Sequence, residues 1–204
     1  MTTNAAGTAG LLADRYAPDP DFTVIRHRLV NADAATTYAA VRAFDFLEVG
    51  GPLVRAATWV RGLPERWRFR HGRAPGRPTG LTFDEMTDGS DWVVLGERPG
   101  EEYAAGVAGR FWRPVIEWLR VEASEFAGFG EPGYGKIVLS LSVRPYGDRH
   151  SLLTYDIRVT LTDSVSLSRF RLYWMVASPL IKNIHGATLR TIARDAERAE
   201  TGMS

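Results

Sequence analysis

Ser151-Leu-Leu-Thr-Tyr-Asp-Ile-Arg-Val-Thr-Leu-Thr162 decides the fold. Leu153, Tyr155, Ile157, Val159 and Leu161 alternate with Thr154, Asp156, Arg158 and Thr160. A two-residue period of this kind describes a strand with one apolar and one wetter face. The run Lys136 to Arg144 repeats it, with Ile137, Leu139, Leu141 and Val143 against Ser140 and Ser142. Directly after the second run the period changes to helical, from about Ser166 to Glu200. A two-faced sheet followed by one long helix needs the helix to close over the apolar face.

Working outward, Phe22-Thr-Val-Ile-Arg-His-Arg-Leu-Val30 has strand composition. Asn31 or Asp33 can cap a helix over Ala34–Phe44, because a short side-chain acceptor satisfies free backbone N–H groups. Gly50-Gly51-Pro52 breaks the chain and starts a second short helix, Leu53 to Arg61. Gly62–Gly80, rich in Pro and Gly, reads as a long loop or flap. Further strands are expected near Leu81–Met86, Asp91–Glu97, Tyr103–Trp112 and Val115–Phe126, with turns at Asp88-Gly89, Pro99-Gly100 and Tyr146-Gly147-Asp148. Pro179 lies inside the last helix, where it removes a hydrogen bond, so a kink or break is expected there. Residues 1–20 read as a flexible tail with a short helical turn at Leu11–Tyr16, and 21–200 as a single domain.

Composition excludes several function classes. Cysteine is absent, which removes disulfides, thiolate chemistry and cysteine zinc sites. Net charge is +1, too small for a whole-molecule attraction to nucleic acid. The chain has no apolar run of membrane-spanning length, and the start lacks the basic and apolar regions of a signal peptide. A cytoplasmic protein, monomer or homodimer, is expected.

Strand, two helices, six strands and a long C-terminal helix is an order that resembles the START-like (SRPBCC) superfamily. Gly109-Arg-Phe-Trp-Arg113, Glu131-Pro-Gly-Tyr134 and Arg169-Phe-Arg-Leu-Tyr-Trp174 resemble segments of its uncharacterised bacterial members. The resemblance covers roughly Phe22 to Arg198. It implies an α+β helix-grip fold: a curved antiparallel sheet of about seven strands wrapped around the last helix. That superfamily includes polyketide cyclases and dehydratases, lipid-transfer domains and pollen-allergen-type carriers. It has no common catalytic residues, so chemistry has to be read from the site.

Gly128-Phe-Gly-Glu-Pro-Gly-Tyr-Gly135 contains G-x-G-x-x-G. A dinucleotide fingerprint must run from a strand into a helix, and here a strand follows; a mobile hairpin loop at the cavity mouth is the expectation. Arg66-Trp-Arg-Phe-Arg-His-Gly-Arg73 could grip an anion or form a solvated flap. His27, His71, His150 and His185 show no metal-ligand spacing, so no metal is expected. His185 falls near the Ile181 and Ile184 face of the helix, where an imidazole could move a proton. Asp156 and Arg158 share one strand face: lining the cavity they would anchor a ligand carbonyl or carboxylate, and facing water they would form a surface ion pair, the reading favoured by the apolar set Tyr155, Ile157 and Val159 on the other face.

Trp and Tyr bring a broad apolar face and one polar handle, suited to a ring-containing ligand. The residues expected around it are Tyr103, Trp112, Trp118, Tyr155, Phe170, Trp174, Ala177 and Ile181. Arg110, Tyr173 and His185 are the catalytic candidates: a guanidinium to hold an enolate and two groups to move protons. The expected function is binding of a hydrophobic, aromatic or polyketide-like molecule, with cofactor-free cyclisation or dehydration as its enzymatic form. The alternatives are a non-catalytic carrier or sensor of apolar ligands, and a protein-interaction module using the Arg-rich flap.

Overall fold

The computed structural model describes residues 10–45 and 91–202. Along these run α1 (Leu12–Tyr16), β1 (Phe22–Val30), α2 (Ala34–Ala43), β2 (Val93–Arg98), β3 (Glu102–Arg110) and β4 (Glu117–Leu119). Then come α3 (Ala123–Phe126), β5 (Gly135–Pro145), β6 (Ser151–Leu161) and α4 (Ser164–Gly202). The strands form one antiparallel sheet in the order β1-β6-β5-β3-β2, with β4 pairing the end of β3. α4 packs on β1, β6 and α2. This is the expected α+β arrangement, one long C-terminal helix packed on a single antiparallel sheet, with six strands among the described residues where about seven were expected. The expected strand at 81–86, the helix at 53–61 and the Arg-rich flap lie outside the described residues.

Register turns the alternation into two layers. Tyr103 pairs with Leu141, Leu141 with Tyr155, Ala105 with Leu139, and Leu139 with Ile157. These residues share the concave face and meet Leu189, Ile192, Ala193 and Ala196 of α4 in the main core. Asp33 caps α2 by accepting the Thr36 N–H at 2.6 Å, and Tyr38 and Val41 join the same core. At the start of α4, Asp163 accepts the Ser166 N–H and hydroxyl and the Gly133 N–H. Those bonds hold its carboxyl at about 2, well below the usual carboxylate range. Pro179 sits within α4 without ending it.

The convex face departs from expectation. Residues 10–20 do not form a free tail: α1 packs on Ala104, Ala108 and Val138, and the Tyr16 hydroxyl donates to the Leu95 carbonyl at 2.6 Å. The contacts that hold it are remote in sequence. Both Glu102 carboxylate oxygens accept the Leu12 N–H at 2.9 Å, and Ser140 donates to Glu102 at 2.7 Å. Arg158 pairs with Asp14 at 2.7 Å, donates to Asp156 at 2.9 Å and to the Ala17 carbonyl at 3.0 Å. Asp156 and Arg158 do lie opposite the apolar set, yet α1 covers them, so they form a buried pair and not a surface one. Burial pushes the Asp156 carboxyl up, and the Arg158 charge offsets part of that rise.

The run expected as one strand from Val115 to Phe126 is divided. β4 takes three residues, and α3 then turns Phe126 under Gly106. Lys136 explains the turn: its Nζ donates to the Phe126 and Ala127 carbonyls at 3.0 and 2.8 Å, satisfying the exposed end of α3.

Candidate functional site

The buried stripe of α4 runs along Ser166, Phe170, His185, Thr188, Leu189, Ile192, Ala193 and Ala196. Helical spacing puts Tyr173, Trp174, Ala177, Ile181 and Ile184 on the same stripe between Phe170 and His185. There the burial relaxes, and all five are only half-buried. The sheet below does the same. Leu139, Leu141, Leu153 and Tyr155 are buried, but Ile137 and Ile157, on the two central strands, remain half-exposed. Central-strand isoleucines are fully covered in a filled core, and these two are not.

Two packed clusters flank that stretch. On one side Phe170, 1% exposed, contacts Phe22, Phe111, Trp112, Tyr173 and Trp174 with ring centroids 4.9–6.2 Å apart. Edge-on and tilted geometries dominate, as quadrupoles prefer. On the other side His185, also 1% exposed, lies on the Tyr155 ring at 4.2 Å between centroids and 31° between planes.

His185 is the chemically distinct member. Among the described residues, neither ring nitrogen has a hydrogen-bond partner. The Thr188 hydroxyl, three residues on along the same helix face and fully buried, has none either. Burial first, and the Arg26 charge second, lower the His185 pKa to about 4. The imidazole is therefore neutral near pH 7, with one donor and one acceptor to offer. Leaving such groups unpaired in a core costs about 1–3 kcal/mol each. Native interiors pair the large majority of such groups, so unpartnered ones call for an explanation. Burial likewise pushes the Tyr155 hydroxyl up, so it stays a donor.

The expected site residues divide by location. Tyr155, Phe170, Tyr173, Trp174, Ala177, Ile181 and His185 lie on the two walls of this interior, with Trp112 at the Phe170 end. Tyr103 is on the same sheet face, packed deeper under the Arg42 guanidinium at 4.9 Å. Trp118 sits on β4 across Gly109 and is 39% exposed. Arg110 is not brought to His185. Its face is that of Ala104 and Ala108, and it donates to the Gly133 carbonyl at 2.9 Å, pairs with Glu117 at 3.1 Å and stacks on Tyr134 at 4.2 Å. The glycine-rich loop expected to be mobile is thus pinned from β3 and from Asp163, and it leads into β5. Thr188 was missed by sequence reasoning; its place one helical turn beyond His185, inside an apolar stripe, is the signal that could have found it.

Among the described residues no three His, Asp or Glu side chains converge, and no helix is long and apolar enough to cross a membrane. No family model matches the chain, and no curated protein does. Solved structures do align with it. A conserved protein from Geobacillus kaustophilus is 12% identical with a TM-score of 0.38, over 85% of this chain and 96% of that one. A START superfamily protein from Mycobacterium smegmatis is 13% identical with a TM-score of 0.30, over 89% and 99%. Truncated norcoclaurine synthase from Thalictrum flavum is 10% identical with a TM-score of 0.33, over 85% and 91%. Identities this low carry nothing about chemistry.

Proposed function

We propose that this chain, on its helix-grip scaffold, binds a hydrophobic small molecule with an aromatic ring and one hydrogen-bonding group, between the concave face and α4. The observation that carries this reading is His185: buried, neutral, with both ring nitrogens unpartnered, at the end of a half-buried apolar lining. Ile137, Ile157, Trp174 and Ile184 supply the apolar walls. A ligand hydroxyl or carbonyl meets His185 and Thr188, and its ring replaces water over the isoleucines. Each good hydrogen bond to such an orphaned group adds about 0.5–1.5 kcal/mol, and the apolar burial supplies the rest.

A second reading is cofactor-free proton transfer on the bound molecule. The same imidazole favours it, because a neutral ring can accept a proton at one nitrogen and release one at the other. In this reading Tyr155 and His185 act together, Tyr173 sits nearer the aromatic end, and Arg110 takes no direct part.

Isoleucine δ1-methyl NMR tests the binding reading. Aromatic polyketides and apolar lipids are titrated into protein labelled at those methyls. Saturable shifts at Ile137, Ile157 and Ile184, with Ile25 unmoved, are expected. Shifts at Ile25 alone, or none at any methyl, would overturn it. Recovery of the ligand unchanged distinguishes a carrier from an enzyme.

A further inference from the structure

A second feature lies outside that interior. The edge strand β1 and α4 leave an open groove of about 330 Å³. Its lining includes Arg26, Arg28 and Arg190, with Gly186 and Leu189 beneath and His27 at the rim. All three arginines are exposed, and none makes an ion pair or hydrogen bond among the described residues. Three positive charges within one groove are unusual in a chain whose net charge is only +1. Like charges lining one groove repel weakly in water and set up a local positive potential that an anion would neutralise.

Two details fit an oxyanion. Gly186 stands inside a helix, where glycine is about 1 kcal/mol worse than alanine. A Cβ there would stand in ordinary contact with Arg190 Nη1, at 3.4 Å, which places that guanidinium directly beside Gly186 at the groove. The groove is also lined from both faces of β1, by Ile25 and His27 as well as Arg26 and Arg28. It therefore runs over the strand's edge, where, among the described residues, alternate backbone N–H groups lack a strand partner and can donate.

We propose that this groove binds the phosphate dianion of a small phosphorylated molecule. Guanidinium forks match a phosphoryl group's oxygens in pairs, and three of them suit a charge near −2 better than a single carboxylate. The site stands independently of the interior reading, although the two adjoin: Arg26 pairs across the sheet with Tyr155, on which His185 stacks.

The test is calorimetric titration of phenyl phosphate, inorganic phosphate and benzoate into the full chain at low salt. Arg26→Gln, Arg28→Gln and Arg190→Gln are compared with Arg149→Gln on the β5–β6 turn. Phenyl phosphate is expected to bind more tightly than benzoate. Each groove variant should weaken it about tenfold or more, the loss of one charge-assisted contact, and Arg149→Gln should leave it unchanged. Equal weakening by Arg149→Gln, or no weakening by the groove variants, would overturn the site. Binding only to vesicles containing phosphatidic acid, with none to the soluble phosphates, would overturn the small-molecule source. The interior methyls report separately, so failure of one site is distinguishable from failure of the other.

Discussion

Acidification should destabilise this protein through His185, and replacing it with phenylalanine should remove that effect. The reasoning is proton linkage. The unfolded imidazole titrates near 6.5, whereas burial and the Arg26 charge lower the folded value to about 4. The unfolded state therefore binds the proton first. Stability from this group is complete above about pH 6.5, falls across the window from 6.5 to 4, and is gone below it. Integrated over those values, the loss relative to neutral pH is about 1.2 kcal/mol at pH 5.5 and about 3 kcal/mol at pH 4. His185 is 1% exposed, so solvent screening takes little from this figure. Urea unfolding of the wild type and His185→Phe at pH 7, 5.5 and 4 isolates the effect, because every other titrating group cancels in the difference. Phenylalanine keeps the ring against Tyr155 and removes two unpartnered nitrogens. At pH 7 the variant should be as stable as the wild type or more so, since no hydrogen bond is lost. An identical pH dependence in both proteins would refute the buried, neutral histidine. A variant more than about 2 kcal/mol less stable at pH 7 would show that the nitrogens do have partners.

Three further outcomes follow from packing and charge. Phe170→Ala should cost about 3–5 kcal/mol in urea unfolding, because it empties the centre of the aromatic cluster. Arg158→Ala should cost about 3–5 kcal/mol, because it strands the buried Asp156 carboxylate, whereas Asp14→Ala, half-exposed, should cost less than about 1 kcal/mol. Equal losses would mean that the Asp156–Arg158 pair is solvated. Gly106→Ala puts a Cβ 2.5 Å from the Phe126 ring, with Leu95 at 2.8 Å on its other side. It should lower stability by about 1–3 kcal/mol, read as a drop in melting temperature, unless Phe126 can be shown by crystallography to swing away.

The two faces of the sheet were legible because alternation survives translation into structure. Leu153, Tyr155 and Ile157 point to the helix, and Asp156 and Arg158 to the other side, as their spacing requires. Asp33 capping α2 and the apolar stripe of α4 were legible for the same local reason. What the sequence hid was set by distant partners. α1 has five residues, too few to be stable alone, and it is held by Glu102, ninety residues away. That contact also decides whether Asp156 and Arg158 meet water. Arg110 looked like an interior guanidinium beside glycine and aromatics, but Gly133, Glu117 and Tyr134 claim it from the loop side. The interior itself was half legible. The aromatic set and His185 stood out by residue type, whereas Thr188 counts only because its hydroxyl finds no acceptor once the helix is docked.

In the proposed function, the space between the sheet and α4 holds a small molecule through His185. Native mass spectrometry of the purified wild type and His185→Phe, followed by denaturation and identification of released compounds, tests it most directly. The account predicts a discrete hydrophobic mass on the wild type, or one acquired from a panel of aromatic polyketides and lipids, and its loss from the folded variant. A wild type that stays free of ligand across the whole panel, or a variant that carries the same mass at the same occupancy, would contradict it.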